Sequence, residues 1–309
     1  MSETSVRDIF VSLRPAQWLK NLAVFAAIIF SREFFISEKF TPVFYTFLIF
    51  CAASSSMYLV NDLTDREADQ LHFSKKKRPI ASGVLSRQLA LFFALILAVA
   101  ALIVSFYLST YLFSILIAYL LVQLAYSFWL KNIIILDTLA IAFSFMLRVF
   151  AGSFVVLVSL SSWLILTTMM LALFLAVGKR RSELTLLTAQ GTPIRRKTLL
   201  FYPKQLLDGL VFMMATATLI TYSLFTFNSV AVGQQPFFTA YLPKTLSSPK
   251  LLMVTIPIVV YGVFRYLYLV FEKSEGESPE RVFLTDTPLF LTVTAWVGSV
   301  FFLLYLVTT

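Results

Sequence analysis

The sequence predicts an all-α integral membrane protein with nine transmembrane helices and charged loops gathered on one side. Three observations lead there. Of the 309 residues, 59% are hydrophobic and only 13% charged, a balance outside the usage of soluble globular chains. Apolar stretches long enough to span about 30 Å of hydrocarbon recur from one end of the chain to the other. The Lys and Arg residues of this chain, whose net charge is +9, collect in alternate loops. The single cysteine, Cys51, excludes an internal disulfide.

The spans fall at about 20–37, 42–61, 88–108, 110–129, 133–158, 162–178, 205–228, 251–271 and 288–307, and together they make one domain over 1–309. Their helical period is weak, because lipid-facing and bundle-facing sides are both apolar. Before the first span, Arg14 and Lys20 flank Trp18, as in an aromatic belt with snorkelling cations. The second span leaves the membrane at Asn61-Asp62, with Asp65, Asp69 and the run Lys75 to Arg78 beyond it. Ser109-Thr110 and Lys131-Asn132 leave room only for tight antiparallel hairpins. The fifth span carries Asp137 one turn in and Arg148 well inside; an arginine at that depth is costly and usually faces a polar cavity. The sixth runs into Lys179-Arg180-Arg181.

Two loops, 62–87 and 179–204, are long, charge-dense and partly helical in pattern. In a third, Ser278-Pro279 is a good helix start, and Asp286-Thr287-Pro288 opens the last span in the same way. Residues 229–250 read as a connector. With the N-terminus inside, the inner segments hold nineteen Lys and Arg against four outside. The positive-inside rule then puts the N-terminus in the cytoplasm, the C-terminus outside, and the chain in the cytoplasmic membrane. The basic residues sit in short inter-helix loops, which speaks against nucleic acid as a partner.

The residues that carry chemistry stand where the second span ends. On a helix continuing past the membrane edge, Asn61, Asp65 and Asp69 fall at i, i+4 and i+8 and share one face, with Asp62 about a third of a turn away. Acidic oxygen ligands so placed suit Mg²⁺, which is usually held by one or two carboxylates together with substrate phosphates. The run containing Lys75 and Arg78 reads either as a phosphate contact or as an anchor for anionic lipid. Lys179, Arg180 and Glu183 read either as an anion site or as orientation charges with a helical ion pair. Asp137 faces a cavity or Lys131. His72, the one histidine, is not placed as a base.

The pattern Asn-Asp-x-x-Asp-x-x-x-Asp at 61–69, followed by Arg78-Pro79-Ile80-Ala81-Ser82-Gly83, resembles the first signature of the UbiA superfamily of intramembrane prenyltransferases. Further stretches resemble its decaprenyl-phosphate phosphoribosyltransferase branch: Arg14 to Asn21, Leu147 to Gly152, Gly178-Lys179-Arg180 with Glu183, and Gly276 to Glu280 with Asp286. The resemblance implies a UbiA-type bundle with cytoplasmic cap loops and a cytoplasmic active site. It implies substrate roles for Arg14 and Lys20, and it puts Tyr126 and Lys131 at the diphosphate end of the cavity. Most of the superfamily carries a second Asp-rich motif after the sixth span. Here that position holds Lys179, Arg180, Arg181 and Glu183, better suited to a bare phosphate than to a second metal.

The reaction so implied is transfer of 5-phosphoribose from phosphoribosyl diphosphate to a polyprenyl (decaprenyl-type) phosphate, with release of pyrophosphate, feeding arabinose donors for the cell envelope. Asp65 and Asp69 with Mg²⁺, and Lys179 with Arg180, would carry it. Glu277 and Asp286 would accept hydrogen bonds from ribose hydroxyls or cap helices. Two rivals stand beside it: prenyl transfer to an aromatic acceptor, and an anion transporter running along Arg148. Small residues in the spans allow helix contacts without fixing an oligomeric state.

Overall fold

Eight helices among the described residues are long and apolar enough to cross a membrane. They belong to a computed structural model that describes residues 5–71, 75–189, 199, 201–229, 250–273 and 279–307. In chain order these eight are α3 (Ser37–Thr64), α6 (Arg87–Leu108), α7 (Thr110–Phe128), α8 (Leu136–Val156), α9 (Ser162–Ala189), α10 (Lys204–Asn228), α11 (Ile256–Tyr268) and α13 (Thr287–Phe301). Single turns of other pitch, Leu251–Thr255, Leu269–Lys273 and Phe302–Leu306, extend the last two.

The first expected span is corrected. Instead of 20–37, the apolar helical stretch is Pro15–Phe30, a 3₁₀ segment Pro15–Phe25 running on into α2 (Ala26–Phe30). Pro15 begins it because its fixed φ suits a helical first turn. Arg14, in the left-handed region at φ 55°, reverses the chain between this stretch and α1 (Val6–Ser12). The helix α1 starts on a capping box in which Ser5 and Asp8 satisfy each other's end of the turn.

The hairpin expected at Ser109-Thr110 is there. Ser109 alone is extended between α6 and α7, and its hydroxyl accepts the Leu112 N–H to start α7. Helices α3 and α9 outrun their apolar stretches, so both charge-dense loops begin as helix.

The chain forms two compact units: residues 1–28, 33–159 and 195–198, and residues 29–32, 160–194 and 199–309. In the first, α3 packs against α6, α7, α8 and the 3₁₀ segment. Its three consecutive serines, stepping about 100° each, reach three different neighbours. Ser54 accepts from Asn21 at 3.2 Å, Ser55 donates to the Leu13 carbonyl at 2.9 Å, and Ser56 donates to the Ala94 carbonyl at 2.6 Å. The 3₁₀ segment lies directly on α8 at Gly152, where an added Cβ would stand 1.8 Å from the Val24 carbonyl oxygen. In the second unit α9 runs along α10, and α11 along α13. There the buried Tyr222 hydroxyl meets Thr255 at 2.6 Å and receives Trp296 Nε1 at 2.7 Å.

Candidate active site

Two charged centres stand out, one in each unit. In the first unit the helix does not carry Asn61, Asp65 and Asp69 on one continuous face as expected. The helix α3 ends at Thr64, Asp65 takes a non-helical ψ of 2°, and α4 (Arg66–Gln70) resumes beyond it. The four side chains sort into two pairs. Asn61 Nδ2 donates to Asp65 Oδ2 at 3.1 Å. Asp62 and Asp69, both buried, are bridged by Arg78, whose Nη1 stands 3.0 Å from Asp62 Oδ1 and 2.5 Å from Asp69 Oδ2. Arg78 is the residue just before the short helix α5 (Pro79–Ser82).

Arg14 reaches Asp62 Oδ1 at 2.5 Å, with its guanidinium 5.2 Å from the Tyr58 ring centroid. The left-handed backbone at Arg14 turns its side chain back onto α3, at a strain of roughly 1–2 kcal/mol. From the hairpin between α7 and α8, Lys131 reaches Asp65 Oδ1 at 2.5 Å and Thr64 Oγ1 at 3.1 Å. The expected cations Arg14, Arg78 and Lys131 thus meet the acids. Lys20 donates to Gln17. Lys75 stands half-buried in the turn Lys75–Lys77, and Tyr126 is half-buried on α7. Arg66 ties α4 to α5 through the Ile80 carbonyl at 3.2 Å. His72 and Glu277 lie outside the described residues.

Among the described residues no three carboxylate, histidine or cysteine side chains gather as a group that could hold a metal ion. The open donor here is Asn61 Oδ1, buried with no hydrogen-bond partner beside Asp65. An unpaired buried carbonyl oxygen beside a carboxylate is the kind of donor Mg²⁺ takes.

Deeper in the same unit, Arg148 is buried on α8. It donates to Asn21 Oδ1 at 2.8 Å, the Ser144 carbonyl at 2.7 Å and the Tyr119 hydroxyl at 2.9 Å. All three partners are neutral. Asp137 is fully buried in the first turn of α8.

In the second unit, Arg180 is 1% exposed and forms an i, i+3 pair with Glu183 at 2.8 Å. Lys179 precedes it, half-buried on α9. Arg181, which the sequence sets beside them in the cationic stretch, is also buried. It donates to Asp208 at 3.1 Å and the Val270 carbonyl at 2.9 Å, and it stacks 4.2 Å from the Phe271 ring centroid. Asp286 makes a two-point pair with Arg265, at 3.0 and 2.7 Å, and accepts the Leu289 N–H at 2.9 Å to cap α13. Its helix-capping role is therefore built. Sequence reasoning passed over Ser182 and Tyr266, both buried at this end of the unit like Glu280 of the Gly276–Glu280 stretch, on α12 (Pro279–Thr285). Only Tyr266, a polar tip near the end of an apolar span, left a trace to follow.

A profile of the UbiA prenyltransferase family matches residues 22–189. The decaprenyl-phosphate phosphoribosyltransferase of Mycolicibacterium smegmatis is 34% identical over 299 residues, 96% of this chain and 92% of that one. The protein of the same name from Corynebacterium glutamicum is 32% identical over 96% of this chain and 86% of its own. A UbiA homolog from Archaeoglobus fulgidus bound to DMAPP and Mg²⁺ has a similar fold, with TM-score 0.67 at 16% identity over 96% of this chain and 99% of that one. The acid signature at 61–69, the membrane-length helices and this full-length similarity agree, and the chain belongs to the UbiA prenyltransferase family.

Proposed function

We propose that this protein transfers 5-phosphoribose from phosphoribosyl diphosphate to a polyprenyl phosphate, in a Mg²⁺-dependent reaction that releases pyrophosphate. The observation that carries the reading is the contrast between the two centres. One is built of carboxylates with basic partners (Asn61, Asp62, Asp65, Asp69). The other is built on buried arginines, Arg180 and Arg181, with Lys179 beside them. A diphosphate donor suits the first centre and a lipid monophosphate the second. The names of the relatives support the same reaction.

In this reading the acceptor phosphate oxygen attacks the anomeric carbon as pyrophosphate departs. The nucleophile is already anionic, so no strong base is needed, and the protein's tasks are positioning and charge stabilisation. Asn61, Asp62, Asp65 and Asp69 would hold Mg²⁺, which when bound neutralises charge on the leaving pyrophosphate. Arg14, Arg78 and Lys131 hold the carboxylates in place and offer donors to phosphate oxygens, with Lys20, Lys75 and Tyr126 at the margin. Arg148 contributes a fixed positive charge within the first unit. Lys179, Arg180 and Glu183 take the lipid phosphate. The product would feed arabinose donors for the envelope.

Nine crossings are part of the same proposal. At about 2.0 Å per 3₁₀ residue and 1.5 Å per α residue, Pro15–Phe25 and Ala26–Phe30 together rise about 30 Å, the thickness of the hydrocarbon. The distribution of Lys and Arg supports a cytoplasmic N-terminus and active site in the cytoplasmic membrane. The relatives align across both units, which supports one domain over 1–309.

The test is an assay in reconstituted membranes with labelled phosphoribosyl diphosphate, a polyprenyl monophosphate and Mg²⁺. Labelled lipid that disappears on chelation is the expected result. Turnover only of a prenyl diphosphate with an aromatic acceptor would replace the reading.

A further inference from the structure

Arg148 lies midway along α8 and is 2% exposed, and among the described residues it meets no carboxylate. The acid on its own helix, Asp137, is eleven residues away, about 16 Å along the axis. Its bonds to Asn21, Ser144 and Tyr119 occupy three of the five guanidinium N–H groups, leaving one on each of Nη1 and Nη2. The guanidinium carbon stands 4.9 Å from the Tyr119 ring centroid and 5.3 Å from that of Phe145. A cation held in an apolar span by neutral partners carries a large desolvation cost, and an anion at its open fork would offset it.

Two polar tracks within the first unit lead from Arg148 to the acids at 61–69. On α3, Cys51, Ser54, Tyr58 and Asp62 fall at i, i+3, i+7 and i+11, within about 80° of one another. On α7, Tyr119, Gln123 and Tyr126 fall at i, i+4 and i+7. The two helices pack together, with the rings of Phe50 and Tyr119 5.1 Å apart. Asn21 joins the first track to Arg148. Its Nδ2 donates to Cys51 Sγ at 3.4 Å and Ser54 Oγ at 3.2 Å, while its Oδ1 takes the Arg148 Nε–H. Gln123 donates to the Tyr119 hydroxyl at 3.0 Å. At the other end, Lys131 from the hairpin after α7 meets Asp65, and Arg14 lies over the Tyr58 ring. Polar side chains aligned this way inside a bilayer face a ligand path rather than lipid.

A prenyl diphosphate would lay its hydrocarbon tail along this path and leave the Arg148 cation buried against it. A sugar with a diphosphate at one end and a phosphate at the other is anionic at both. From Ser54 to Asn61 α3 rises about 10 Å, a span that suits such a molecule. We propose that Arg148, positioned by Asn21 and Tyr119, binds the 5-phosphate of the sugar donor while the acids at the end of α3 take its diphosphate. The assignment rests on the proposed phosphoribosyl transfer and deepens it, since the 5-phosphate is what separates this donor from a prenyl diphosphate. It also suits the chemistry: a bare guanidinium near a forming oxocarbenium ion opposes it, and one neutralised by phosphate does not.

The test compares phosphoribosyl diphosphate with ribosyl diphosphate, which lacks the 5-phosphate, using the full-length protein in reconstituted membranes. The wild type should prefer the phosphorylated donor in kcat/KM by about a hundredfold or more, because a buried cation left without its anion discriminates strongly. Arg148→Met should shrink that preference at least about tenfold through a raised donor KM, with the KM for polyprenyl phosphate within about twofold. Tyr119→Phe, which keeps the cation and loosens its seat, should shrink it by about threefold to tenfold and carries the test if Arg148→Met folds poorly. Melting in detergent without acceptor gives a readout that needs no turnover: phosphoribosyl diphosphate should raise the wild-type Tm more than ribosyl diphosphate does, and Arg148→Met should erase the difference. A wild type indifferent to the 5-phosphate, or a preference unchanged in both variants, overturns the subsite and leaves the transfer reading intact. A raised KM for polyprenyl phosphate with donor preference unchanged assigns Arg148 to the acceptor phosphate and overturns it too. A wild type that neither labels lipid nor melts higher with phosphoribosyl diphosphate removes the transfer reading, and the subsite with it.

Discussion

Asp62 and Asp65 are three residues apart in one acidic motif, and the structure predicts opposite outcomes for their loss. The side chain of Asp62 is 4% exposed and takes two arginines, Arg14 and Arg78, on one oxygen. Removing a buried partner of this kind strands cations and typically costs about 3–5 kcal/mol. Arg14 and Arg78 are about a quarter exposed, so water recovers part of that, and about 3 kcal/mol is the working figure. The side chain of Asp65 is 31% exposed against Lys131 at 13%. A pair so placed is worth roughly 1 kcal/mol or less, and Lys131 keeps Thr64 as an acceptor. Asp65→Asn should therefore shift Tm by no more than about 4 °C. Its loss of charge beside the proposed Mg²⁺ should still slow transfer about 10³-fold, some 4 kcal/mol of transition-state stabilisation. Asp62→Asn should lose activity together with stability. The assays are thermal unfolding in detergent and labelled-lipid formation over a Mg²⁺ titration. An Asp65→Asn protein with activity within tenfold of wild type, or with activity lost only in proportion to Tm, would refute the reasoning.

Three further outcomes come from the geometry. Arg148→Met removes a buried cation whose hydrogen-bond partners are all neutral. The desolvation relieved, several kcal/mol, should offset the unpaired Asn21 oxygen at about 1–3 kcal/mol, so Tm stays within a few degrees while transfer slows at least about tenfold; a large drop in Tm would make Arg148 a packing lock. Gly152→Ala should cost at least about 3 kcal/mol, because the Val24 carbonyl it meets is backbone and cannot swing aside. Gly298→Ala, with nothing within 4 Å of the added Cβ, should gain about 0.5–1 kcal/mol; equal Tm values for the two variants would count against the close crossing at Val24. Lys179→Ala should raise the KM for polyprenyl phosphate with kcat little changed, and a fall in kcat alone would remove it from acceptor binding.

What could be read from the chain and what could not divide along a physical line. A carboxylate or arginine at a membrane boundary is costly whatever its partner, so Asp62, Asp65, Asp69 and Arg148 announced themselves by residue type and depth. The spans did so by length. Partner choice is tertiary: Arg14 meets Asp62 across 48 residues of sequence through a left-handed backbone that no propensity predicts for arginine. The 3₁₀ geometry of Pro15–Phe25 was hidden because an apolar segment shows no period from which its pitch could be read. The break at Asp65 was hidden for a related reason. Its N–H still bonds the Asn61 carbonyl at 2.9 Å and Asp69 N–H the Asp65 carbonyl at 2.8 Å, so the spacing obeys the helical rule while a ψ of 2° redirects the helix beyond it. Ser182 and Tyr266 mark the far limit of legibility. Serines and tyrosines are ordinary in apolar helices, and what sets these two apart is a bond they fail to make, which only coordinates reveal.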